Sequence, residues 1–188
     1  MNTPSARCLI LACGNTLRED DGIGPFLASW AEEQFANIPG VRILASHQWT
    51  PELALEIVAA ETVIFIDCAV NAAPGAVSAT PVIAAEQMPR LMTHHLDATC
   101  LLALAREYYE ATPRESVLLS IGAGSIELRE GFSDAILAAI PPREPVSTSA
   151  MLKSKAEASH HPPAPTVETT NAIVRLSIAR PARVPERT

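Results

Sequence analysis

The stretch from Cys8 to Gly24 reads CLILACGNTLREDDGIG. Cys8 to Cys13 form an unbroken apolar run that stops at Gly14. A run without alternation predicts a strand covered on both faces, as in parallel sheets. Gly14-Asn15 supplies the turn. Ile23, Phe26, Leu27, Trp30, Ala31 and Phe35 then recur at helical spacing, until Asn37, Pro39 and Gly40 end the helix.

The alternation continues outward. Val41–Ala45 reads as a second strand, and Pro51 opens a helix carried on by Leu53, Leu55, Ile57 and Val58. Val63–Ile66 is a third buried strand, ending at Asp67. Ala73-Pro74-Gly75 is a turn into an edge strand over Ala76–Val82. Asp97 caps a helix whose inner face is Leu101, Leu102, Ala105 and Tyr108. Val117–Ile121 is a further strand ending at Gly122, and a last helix covers Asp134–Ile140. Strands alternating with helices predict an α/β fold: a mainly parallel, twisted sheet with helices on both faces.

The chain has 188 residues and a net charge of −7. Residues 1–140 hold 7 Lys and Arg against 17 Asp and Glu, a net of −10; residues 141–188 hold 7 against 4. An acidic body argues against binding nucleic acid or an anionic membrane. No lysine occurs before Lys153, which excludes a phosphate-cradling or Schiff-base lysine in that body. Eight of the 16 prolines fall in residues 141–188, which read as a Pro-rich, disordered C-terminal tail after one domain over residues 1–140. The four cysteines have neither disulfide-framework nor zinc-knuckle spacing. With no signal core and no apolar run long enough to span a bilayer, the expectation is a soluble cytoplasmic protein.

Ligands of open α/β sheets bind beyond the carboxyl ends of the strands. That rule selects the loop Gly14–Gly24, Asp67 with Cys68, and Gly122–Ser125; Thr93-His94-His95-Leu96, before a helix, is a fourth candidate. The first loop lacks the three close glycines of a dinucleotide site, and its acids would repel phosphate. One of Asp20 and Asp21 is expected to cap the helix, which leaves the remaining acids of Glu19-Asp20-Asp21 to be explained. Asp67 alone is a structural acid as readily as a functional one, and the same holds for either histidine. Together, an acid from each of two loops and an imidazole make a borderline ligand set suited to nickel or zinc. A Cys–His scheme through Cys13 or Cys68 is the weaker reading, because buried cysteines pack as small hydrophobes and this edge is acidic. No Gly-x-Ser-x-Gly elbow is present.

Leu9–Leu17 followed by Asp20-Asp21-Gly22-Ile23-Gly24 resembles the opening of the hydrogenase maturation proteases. Val63–Asp67, Thr93–Leu96, and Val117–Gly122 with Glu127 and Gly131-Phe132-Ser133 follow in that family's order, over about residues 7–140. The resemblance implies a three-layer α/β sandwich and an aspartyl-type endopeptidase. Such an enzyme trims the C-terminal extension from the precursor of a nickel–iron hydrogenase large subunit. It also implies that Asp21, Asp67 and His94, with His95 as fallback, are the catalytic and metal-contacting residues. Glu19 and Asp20 are the weaker ligand candidates. The nickel would arrive with the precursor, so no tightly bound cofactor is expected, and the protein is expected to be a monomer. A non-catalytic metal- or peptide-binding relative on the same fold is the alternative, and a nucleotide-using small-molecule enzyme is a weaker third. The long tail departs from the family pattern.

Overall fold

The computed structural model describes residues 6–36, 38–86 and 96–140. The tail, 141–188, and the segment holding His94 and His95 lie outside the described residues. The strands are β1 (Ala6–Cys13), β2 (Val41–Ser46), β3 (Ala60–Ala69), β4 (Val77–Pro81) and β5 (Glu115–Gly122). The helices are α1 (Ile23–Phe35), α2 (Leu53–Val58), α3 (Ala98–Tyr109) and α4 (Asp134–Ala139), with a 3-10 turn at Glu19–Gly22.

The sheet order is β2-β1-β3-β5-β4, with β4 antiparallel and the other pairings parallel. Side-chain alternation along the two central strands sorts the core into two layers. Leu9, Leu11, Val63 and Phe65 face α2 and α3, meeting Ile57, Leu101, Leu102 and Ala105. Cys8, Ile10, Ala12, Ile64 and Ile66 face α1 and α4, meeting Ile23, Leu27, Ala28 and Ile136. The three-layer α/β sandwich expected from the sequence is thus present.

Three local readings need correction. Tyr108, expected on the inner face of α3, is 70% exposed. Neither Asp20 nor Asp21 caps α1: its N-cap is Gly22, with no side-chain cap bond. Asp97 does cap α3, accepting from the Cys100 N–H at 2.8 Å, an interaction worth about 1 kcal/mol. Strand β3 also runs past Asp67, because Asp67, Cys68 and Ala69 remain paired with Ser120, Ile121 and Gly122 of β5. On its other side the pairing of β3 with β1 stops at Ile66. Asp67 therefore sits where β3 outruns β1.

That point is special in the topology. β1 is followed by β2 on one side, and the chain then returns to place β3 on the other. The reversal opens a crevice between the carboxyl ends of β1 and β3. Two glycines let the loop after β1 fold back onto the crevice. A Cβ on Gly14 would run into the Asp21 carbonyl, and one on Gly24 into the Cys13 carbonyl. Gly14 also adopts φ +145°, which L side chains rarely take.

Candidate active site

Asp21 comes from the 3-10 turn after β1, and Asp67 from the overhang of β3. The Asn15 N–H donates to Asp21 Oδ2 at 2.9 Å, so the loop's own backbone orients that carboxylate. The Cys68 N–H donates to Asp67 Oδ1 at 2.8 Å. The structure brings these two predicted acids into one neighbourhood. Burial, with a smaller push from the nearby Asp21 charge and against the Cys68 hydrogen bond, raises the Asp67 carboxyl to about 6. Phe65, two residues earlier on β3, is fully buried with Trp49 edge-on at 5.3 Å.

Both thiols at this edge are held protonated. Burial, followed by the charges of Asp67 and Asp21, pushes Cys13 up to about 12. Burial and the charges of Asp21, Asp67 and Asp20 do the same to Cys68. A nucleophilic cysteine needs a thiolate and an electropositive setting. Here the setting has the opposite sign. Cys13 and Cys68 instead pack against opposite core layers.

Glu19 and Asp20 have a different task from Asp21. Asp20 is fully buried. Its Oδ2 accepts from Gly124 N at 2.6 Å, Ser125 N at 3.0 Å and Ser133 Oγ at 2.7 Å; its Oδ1 accepts from Ser133 N at 2.7 Å. Burial favours the neutral acid, but the Ser133 hydroxyl and the three backbone N–H groups outweigh it and hold the carboxyl below its usual range. Glu19, equally buried, accepts from the Ser125 hydroxyl and from Arg129, with Nε at 2.9 Å. Its backbone is left-handed at φ +44°, an uncommon state for a non-glycine residue, and its fixed side chain helps hold it there. The two acids form a latch between the loop bearing Asp21 and residues 124–133.

Sequence reasoning named Glu19 and Asp20 but missed their partners Ser125, Arg129 and Ser133. No local signal marked them, because they lie more than a hundred positions from the acids they serve. Ser133 shows the competition directly. It is the N-cap residue of α4, yet its hydroxyl makes no cap bond and serves Asp20 instead.

The third predicted donor, His94, and its fallback His95 lie outside the described residues. Among the described residues no set of three His, Cys, Asp or Glu side chains is placed to hold a metal ion. No helix among them is long and apolar enough to cross a membrane.

The chain matches no protein-family model and no curated protein. Solved structures do resemble it. The hydrogenase maturating endopeptidase HybD from Escherichia coli is 24% identical with a TM-score of 0.57, over 70% of this chain and 83% of that one. The nickel–iron hydrogenase maturation protease HycI from Thermococcus kodakarensis is 23% identical with a TM-score of 0.55, again over 70% and 83%. An endopeptidase from Escherichia coli is 20% identical with a TM-score of 0.56, over 91% and 93%. The chain has the fold of these endopeptidases.

Proposed function

We propose that this chain is a cytoplasmic hydrogenase maturation endopeptidase, which removes the C-terminal extension of a nickel–iron hydrogenase large-subunit precursor. The observation that carries this reading is the pairing of Asp21 and Asp67 at the topological switch point. The fold shared with the maturation proteases agrees with it. Two carboxylates in one crevice favour a cation between them, since like charges at short range resist joint ionisation.

In this reading the nickel is part of the substrate. Asp21 and Asp67 approach it from the crevice, and His94, or His95 in its place, supplies the third donor. Peptide hydrolysis needs a polarised carbonyl and an activated water. A metal already seated beside the scissile segment serves the first need, and a neighbouring carboxylate suits the second. The buried thiols take no part. Dependence on nickel follows, because the two acids alone repel each other.

The test is incubation of nickel-loaded precursor with the natural protein and with Asp21→Asn. Loss of one metal-contacting carboxylate is expected to slow cleavage by about 100-fold or more. Full activity in Asp21→Asn sinks the assignment. A second expectation concerns pH. Asp67 must be ionised to grip a cation, and its carboxyl titrates at about 6. Initial rates should therefore plateau above that pH and fall about tenfold per unit below it. A rate that stays flat down to pH 5 counts against an ionised Asp67 in the reaction.

A further inference from the structure

The latch formed by Glu19 and Asp20 holds together two exposed loops, and a pocket of about 390 Å³ lies against them. Its walls include Thr16 and Gly22 beside Asp21, Phe26 and Ser29 of α1, and Gly131 and Phe132 before α4. The rings of Phe26 and Phe132 meet edge to face at 5.4 Å, giving an apolar surface. A Cβ on Gly131 would meet nothing within 4 Å, so this side stays open. Arg18 and Arg129 pair as an isolated parallel bridge between the same loops. Leu17 and Leu128, each the residue before one of these arginines, are 51% and 84% exposed.

We propose that this pocket is a substrate subsite, which takes a large apolar side chain from the precursor segment next to the scissile bond. The inference rests on the proposed endopeptidase reading and adds to it a specificity pocket outside the carboxylate pair. Three observations select the occupant. The pocket is walled by Glu19 and Gly22 of the turn that carries Asp21, so an extended segment at Asp21, advancing about 3.3 Å per residue, reaches it within a few residues. Pro25 and the paired rings of Phe26 and Phe132 give the pocket an apolar wall that favours flat or branched hydrocarbon, with Thr16 and Ser29 at its polar side. Glu130 lines the pocket as well, and residues 1–140 carry a net charge of −10, so an acidic side chain is rejected.

Ser29 offers a clean test, because it is exposed on α1 and lines the pocket. Ser29→Trp fills the space from outside the core, and Ser29→Phe fills less of it. With nickel-loaded precursor, Ser29→Trp is expected to raise KM by about tenfold or more and leave kcat within about twofold. Ser29→Phe should fall between it and the natural protein. A precursor bearing Asp in place of its apolar residue nearest the cleavage point should lose a similar factor with the natural enzyme. If Ser29→Trp does not fold, the graded effect of Ser29→Phe and the Asp-bearing precursor decide the matter. Unchanged KM in the folded pocket-filling variants overturns the subsite and leaves the endopeptidase reading intact. An intact precursor after incubation with the natural protein overturns both.

Discussion

Asp67→Asn is expected to give a protein that is more stable at neutral pH than the natural one and unable to cleave the precursor. The carboxyl titrates at about 6 in the folded state against an ordinary value of 3.8. Between those values the native protein keeps a proton that the unfolded chain has released. Stability therefore falls as pH rises from about 4 to about 6, and the full penalty stands above that. A shift of this size corresponds to about 3 kcal/mol at most. An amide has no charge to bury and keeps the acceptor that faces the Cys68 N–H. Asp67→Asn should thus gain on the order of 1–3 kcal/mol at pH 7 and little at pH 4. Cleavage should drop by about 100-fold or more, because the amide grips a cation poorly. Denaturant unfolding at both pH values, beside a cleavage assay, checks the two halves. Equal stabilities at pH 7 would show that Asp67 is no reservoir of electrostatic strain. Such an exchange of stability for activity is the pattern expected at functional sites.

Asp20→Ala should do the opposite, destabilising the fold through a residue that touches no substrate. It strands the N–H groups of Gly124, Ser125 and Ser133 and the Ser133 hydroxyl. These donors are part-buried, so each one left without a partner costs about 1 kcal/mol, the lower end of the range for a shielded group. A total of about 4 kcal/mol is expected, or about 10 °C in Tm. Asp20→Asn keeps one oxygen in place and should lose clearly less. Because the natural carboxyl is held below its usual range, the latch contributes fully above about pH 4. That contribution fades only as acid takes the pH down through the lowered value. Calorimetry of the two variants at pH 7 decides this: Tm values within a degree or two of the natural protein would mean that loops 19–22 and 124–133 hold together without Asp20.

The strands and helices were largely legible because their signals are local. Unbroken apolar runs in β1 and β3 marked buried parallel strands, and the helical spacing of Ile23–Phe35 gave the bounds of α1. Asp97 announced its cap. Less of the site could be read, because its order is nonlocal. Asp21 and Asp67 stood out as acids at strand ends, but nothing in their spacing separated Asp21 from its neighbours Glu19 and Asp20. The distinction depends on Ser125, Arg129 and Ser133, more than a hundred positions away. The overhang of β3 was invisible for the same reason, since it is fixed by pairing with β5. The Phe26–Phe132 pocket likewise joins two segments that carry no shared pattern.

The latch has a consequence for biosynthesis. Asp20 leaves the ribosome early, but its partner Gly124 emerges 104 residues later and Ser133 later still. Until that distal stretch has cleared the exit tunnel, the turn carrying Asp21 lacks half of its scaffold. The turn carrying Asp21 therefore gains its full set of hydrogen-bonded supports only once residues 124–133 have been made.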